Sequence, residues 1–169
     1  MKHNDYMRAA IEAAKHAEHT GGVAIGAVLV DENGEIVAAG GSVVGLAHDP
    51  TAHAEINAIR NASKRYESSD LYNLTLYSTL EPCHMCLSAA AWARIPRVYF
   101  GAYRKDVDES LFDILGDFSD EAEGGRMNLR EKTHMKVQGG ILENECAELL
   151  ASYHDGPHHV EVLSPEPLT

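Results

Sequence analysis

Two short stretches limit what this chain can fold into: His53-Ala54-Glu55 and Pro82-Cys83-His84-Met85-Cys86. One imidazole and two thiols form a donor set suited to zinc, one ion per chain. Any fold must bring the two stretches to one point. Three protein ligands leave a fourth position open to water, and Glu55 supplies a carboxylate beside it. That combination suits hydrolysis with proton transfer. A closed structural site is the alternative, and it needs a fourth protein ligand. Cys83 and Cys86 match half of a zinc knuckle, but the sequence has no second C-x-x-C. His84 points off the face shared by the two cysteines, and Cys146 falls in a distant apolar helical pattern.

The chain around these stretches reads as alternating helices and strands. Met7, Ala10, Ile11 and Ala14 recur at helical spacing over 6–17, with Asn4 or Asp5 as cap, and Gly21-Gly22 stops the helix. Residues 23–30 read as a buried strand. Asp31-Glu32-Asn33-Gly34 is a hairpin turn, and 35–39 return as a second strand that Gly40-Gly41-Ser42 ends. Gly26 allows close approach of either a flat substrate or a packed element. A loop leads to His48, and Asp49-Pro50-Thr51 introduces a helix from about residue 52 or 53 to 61 or 62. A third strand at 74–78 runs directly into the cysteine stretch, which opens a helix over 83–93. There Cys83 and Cys86 lie one turn apart. Further strands are expected at 98–101 and 135–138, and further helices at 109–115 and 144–153. An acidic surface loop is expected at 117–125. The order predicts an α/β fold: a three-layer arrangement of helices, a mixed five-stranded sheet and helices.

Length favours one domain, 1–156, with a proline-rich extended or disordered tail at 157–169. No apolar run reaches the roughly eighteen residues that cross a bilayer, and the first residues lack a signal peptide's apolar core. With three cysteines, two spent in the motif, no disulfide framework exists; a reducing, cytoplasmic setting is expected. Cys146 reads as a buried small hydrophobe. Acidic residues number 26 against 14 basic ones, a net charge of −12, which opposes long-range attraction to nucleic acid. Arg94, Arg97, Arg104 and Lys105 are close enough in sequence to form a local basic patch, but the favoured reading is scattered solubilising charge.

The donor identities imply a reaction. Zinc at these ligands would make water nucleophilic near neutral pH. Glu55 would accept water's proton, pass it to a ring nitrogen and help protonate an amine that leaves as ammonia. Backbone N–H at the helix start by Cys83 could stabilise developing oxygen charge. The substrate must be a planar amidine-like ring such as cytosine, adenine or guanine.

These motifs resemble the cytidine-deaminase superfamily, whose zinc deaminases share the H-x-E and P-C-x-x-C pattern. The similarity spans about 7–153. It includes Ile25-Gly26-Ala27-Val28, His48-Asp49-Pro50-Thr51-Ala52-His53-Ala54-Glu55 and Leu80-Glu81-Pro82-Cys83-His84-Met85-Cys86. The resemblance is to the branch of bacterial tRNA adenosine deaminases and small guanine deaminases. It implies that His53, Cys83 and Cys86 hold zinc, that Glu55 shuttles protons, and that the protein is commonly a homodimer. Trp92-Ala93-Arg94 resembles the guanine deaminases, as Asp108-Glu109-Ser110-Leu111-Phe112-Asp113 faintly does. Arg97-Val98-Tyr99-Phe100-Gly101-Ala102, Gly140-Ile141-Leu142 and Glu145-Cys146-Ala147 resemble the tRNA-editing branch. Ser42 stands where both branches often carry an asparagine that contacts the base, and its single hydroxyl has a shorter reach. The Tyr153-His154 pair resembles an aromatic pair near the substrate in the tRNA-editing branch. The substrate contacts expected are Ser42, Ala54, Ile25, Trp92, Tyr153 and His154. The expected reaction is deamination of a free base or nucleoside, guanine or a related purine, with water as co-substrate. Deamination of adenosine in tRNA, or of cytosine or cytidine, is the alternative.

Overall fold

The computed structural model describes residues 3–106 and 134–154. The helix expected at 109–115, the acidic loop at 117–125 and the tail at 157–169 lie outside the described residues. In chain order the elements are α1 (His3–His19), β1 (Val23–Val30), β2 (Ile36–Ser42), α2 (Val44–Ala47), α3 (Ala54–Tyr66) and β3 (Thr75–Leu80). They continue with α4 (His84–Trp92), β4 (Arg97–Ala102), a 3₁₀ turn (Arg104–Asp106), β5 (Lys136–Gln138) and α5 (Glu143–His154). The sheet order is β2-β1-β3-β4-β5. Strand β1 runs antiparallel to both neighbours, whereas β3, β4 and β5 run parallel. The expected mixed five-stranded sheet between helices is present.

Strand periodicity sorts the core into two layers. Ala27, Leu29, Leu76 and Val98 face α3 and α4, where they meet Ala54, Ala58 and Ala90. Their neighbours Val28, Val30, Tyr77 and Tyr99 face the other way, onto Met7, Ala10 and Ile11 of α1 and Leu150 of α5. Both faces of the central strands are therefore buried, which is why they read as continuous apolar runs. Cys146 is fully buried, and desolvation pushes its thiol up to about 12.

Gly26 serves helix packing. A Cβ there would lie 2.2 Å from the Ala10 carbonyl oxygen and 2.3 Å from the Ala14 nitrogen. Both atoms belong to the α1 backbone, which cannot swing aside as a side chain can. Gly26→Ala is expected to destabilise the fold by about 3 kcal/mol, the upper range of overpacking. Urea unfolding measures it, and a loss below about 1 kcal/mol would show that α1 yields freely.

Several boundaries differ from expectation by a few residues. Helix α1 includes His3, Asn4 and Asp5; the His3 ring lies tilted against Tyr99, and its Nδ1 meets the Tyr77 hydroxyl at 2.8 Å. Strand β2 does not end at Ala39 but runs through Gly40 and Gly41 to Ser42. A Cβ at Gly40 would strike the Ala54 carbonyl of α3 at 2.4 Å, and one at Gly41 would strike the Ala17 side chain of α1 at 2.5 Å. The glycine pair is thus a strand gripped by helices from both sides. The loop before His48 contains the short α2, closed by His48 in the left-handed region. Helix α3 continues to Tyr66, where Arg65 donates to the Val37 carbonyl and Glu67 takes a left-handed φ of 50°.

Candidate active site

Three elements place the functional side chains. Strand β3 ends in Leu80, and Glu81-Pro82 carries the chain to Cys83, the N-cap of α4. His53 is the N-cap of α3, whose first turn lies against β2. Two helix starts therefore meet beyond the carboxyl ends of parallel strands, where open α/β sheets bind ligands. His53 Nδ1 lies 3.7 Å from Cys83 Sγ and 3.6 Å from Cys86 Sγ, and the two sulfurs are 3.6 Å apart. Zinc bound tetrahedrally at ~2.3 Å to sulfur and ~2.0 Å to nitrogen would set sulfur–sulfur separations of about 3.8 Å and sulfur–nitrogen separations of about 3.5 Å. The donor triangle fits that ion, and among the described residues it is the single His/Cys/Asp/Glu group so arranged.

Glu55 lies beside this triangle and is only 4% exposed. Its Oε1 accepts a 3.0 Å hydrogen bond from Ser78 Oγ, and its Oε2 accepts a 3.4 Å contact from the Cys86 thiol. Burial raises its proton affinity, and the Cys83 charge adds to this; its own backbone amide, Ser78 and Cys86 oppose. Ser78 is a site residue that motif reading missed. Its signal was present: a hydroxyl pair, Ser78-Thr79, in an otherwise apolar buried strand. Thr79 Oγ1 in turn accepts the Gly26 N–H at 3.1 Å.

The cysteines divide their protons unequally. Cys83 is pushed down to about 4, first by its hydrogen bond with Cys86, against burial, and then by His53 and the Cys86 amide. Cys86 is pushed far up by sharing its proton with Cys83, by burial and by Glu55. His53 is raised chiefly by its hydrogen bond with Cys83, and is lowered by burial and by the Arg104 charge. Two thiols, an imidazole and a carboxylate crowded together cannot all take their charged forms. A dication relieves that conflict by replacing the shared protons.

The other expected contacts are dispersed. Ser42 ends β2 and is 4% exposed; Ala54 is fully buried beside His53; Ile25 is half-buried and packs against both core layers. Trp92 is the last residue of α4, six positions beyond Cys86 and so about 9 Å further along the axis. It is 88% exposed. Tyr153 is half-buried near the end of α5, close enough to Glu18 for that carboxylate to raise its hydroxyl's proton affinity, after burial. His154 closes the same helix. The basic residues separate. Arg97 opens β4 opposite Thr75, and Arg94 pairs with Asp70 at 2.7 Å, both at the strand-start end. Arg104 follows the carboxyl end of β4, where its N–H donates to Glu81. Only Arg104 and Lys105 of that group stand at the site's end of the sheet.

A donor triangle of this kind at two helix starts defines a zinc-dependent deaminase site. Residues 1–102 match the family model for the cytidine and deoxycytidylate deaminase zinc-binding region, and the chain belongs to that family. It is 40% identical over 149 residues to the tRNA-specific adenosine deaminase of Haemophilus influenzae, covering 87% of this chain and 80% of the relative. It is 40% identical over 114 residues to the guanine deaminase of Bacillus subtilis, covering 67% and 72%. A solved structure from work on A-to-I editing by tRNA:A34 deaminases superposes with a TM-score of 0.65 at 33% identity, covering 86% of this chain and 99% of that one. Among the described residues no helix is long and apolar enough to cross a membrane.

Proposed function

We propose that this chain deaminates adenosine to inosine within an RNA of tRNA type. Deamination itself is carried by one observation, the 3.6–3.7 Å donor triangle with the buried Glu55 carboxylate at its side. Zinc held there supplies Lewis acidity and brings the pKa of water toward neutrality. Glu55 takes the proton from water, holds it on a carboxyl oriented by Ser78, and delivers it to the ring nitrogen. Once the water oxygen is bonded to the ring carbon, Glu55 takes the remaining proton of that hydroxyl and passes it to the amine, whose bond to the carbon breaks as ammonia leaves. The start of α4, with Cys83 as its N-cap, is a helix end whose N–H groups favour an oxygen that gains charge.

The substrate reading has two supports. The similarity to a tRNA-specific adenosine deaminase runs across 87% of the chain, against 67% for the guanine deaminase. The guanine expectation rested on Trp92-Ala93-Arg94, on the faint match at 108–113 and on the chain's acidity; the first of these stretches lies at the far end of α4 from the cysteines, with Arg94 engaged by Asp70. Arg104 follows the carboxyl end of β4, on the site's side of the sheet, and puts one positive charge there despite the net charge of −12.

A substrate panel tests this. An anticodon stem-loop RNA carrying a target adenosine is expected to form inosine with a kcat/KM at least about 10²-fold above any free base or nucleoside, because remote contacts contribute to transition-state binding. Faster release of ammonia from guanine than from the RNA would overturn the assignment and restore the free-base reading.

A further inference from the structure

Helix α3 is tied to the sheet edge by a regular ladder. Asn57, Asn61 and Arg65 are spaced four apart, and they donate to the carbonyls of Gly41 at 2.8 Å, Ala39 at 2.8 Å and Val37 at 3.1 Å. Four helical residues rise about 6 Å and two strand residues about 6.6 Å, so each step along the helix meets every second carbonyl of β2. Strand β2 is the outer strand, and such an edge leaves alternate carbonyls without a strand partner.

The first rung differs from the other two. The Asn57 Nδ2 also donates to the Ala52 carbonyl at 3.2 Å, while its backbone N–H donates to the His53 carbonyl at 3.0 Å. The Val43 N–H reaches the same Ala52 carbonyl at 3.0 Å. Asn57 therefore clasps the residue before Ser42 to the residue before His53. Asn61 and Arg65 hold the same helix to the same strand but touch neither of those junctions.

We propose that Asn57 is a positioning residue, fixing the zinc ligand His53 relative to the end of β2 through the carbonyls of Ala52 and Gly41. The proposal rests on the zinc reading of the donor triangle and is independent of which ring is deaminated. An apolar side chain of equal size at 57 removes the side-chain donor of the Gly41 carbonyl and one of the two donors of the Ala52 carbonyl, and frees the His53 N-cap to shift. Partners that orient metal ligands in this way typically account for about 10- to 100-fold in metal affinity.

The test compares Asn57→Leu with Asn61→Leu in the full chain. Zinc affinity is read by chelator competition, and ligand geometry by the visible spectrum of the cobalt-loaded protein. Asn57→Leu is expected to weaken zinc binding about 10-fold or more and to shift the cobalt bands. Asn61→Leu, which also loses a rung, is expected to lower the melting temperature while leaving affinity and spectrum as in wild type. Equal behaviour of the two variants in affinity and spectrum overturns the proposal. Should Asn57→Leu not fold, Asn57→Gln decides: it keeps the donor but displaces it by a methylene, so a shifted spectrum supports the role and an unchanged one overturns it. Wild type that binds no zinc overturns the site reading and this proposal together, a result distinct from zinc binding without RNA turnover.

Discussion

Glu55→Gln is expected to give a folded, zinc-loaded protein that releases almost no ammonia. The amide keeps the size of the carboxylate, and its oxygen can still accept from Ser78, whose hydroxyl sits 3.0 Å from Oε1. What is lost is the atom that takes and returns a proton. General acid–base catalysis is ordinarily worth about 10²- to 10⁴-fold, and here one group serves both the attack and the departure of the amine. A fall of about 10⁴-fold in kcat, at the top of that range, is therefore expected. A buried neutral amide also costs less than a buried carboxylate, so the variant should melt no lower than wild type when both are metal-free. Metal content, melting curves and ammonia release separate these effects. Activity within tenfold of wild type would remove Glu55 from the proton path.

Cys86→Ser is expected to lose both metal and activity. Cys86 is fully buried, and its sulfur lies 3.6 Å from the other two donors. A serine hydroxyl at that point is a harder and poorly ionised ligand, ill-matched to a site built from thiolate and imidazole. Less than about a tenth of an ion per chain should remain after dialysis, with kcat/KM down at least about 10³-fold, since metal polarisation supplies several kcal/mol at ~1.4 kcal/mol per tenfold. Linkage gives a second readout. Wild type in free zinc at a thousand times its Kd gains about 4 kcal/mol over its metal-free form, and the variant gains none. Cys86→Ser that retains zinc and turnover would mean that another group completes the site.

The chemical core of the site was legible because its residues carry strong constraints. An imidazole, two thiols a turn apart and a carboxylate two residues from the imidazole have few joint uses. The layers of the sheet were legible for a similar reason, since Val28 and Leu29, or Leu76 and Tyr77, must face opposite ways along a strand. What escaped reading depends on contacts made across the fold. Gly40-Gly41 looks like a strand terminator by local preference, and only the approach of α1 and α3 turns it into strand. Ser78 looks like one more strand residue until Glu55 arrives from α3. Asn57 and Asn61 look like the solvent face of a helix, yet their amides satisfy an edge strand more than a dozen residues earlier. The basic residues follow the reading of scattered charge. Arg94, Arg97 and Arg104 are near in sequence, but a strand lies between them and sends them to opposite ends of the sheet.

Turnover in ¹⁸O-labelled water tests hydrolytic deamination at this site most directly. With the zinc-loaded protein and a panel of stem-loop RNA, nucleosides and free bases, at least one substrate should release ammonia and deaminated product in equal amounts. Each product molecule should carry one ¹⁸O at the carbon that lost its amine, and Glu55→Gln should give neither product nor label. Ammonia released without incorporation of the label, or a zinc-loaded wild type that turns over no member of the panel, would contradict it.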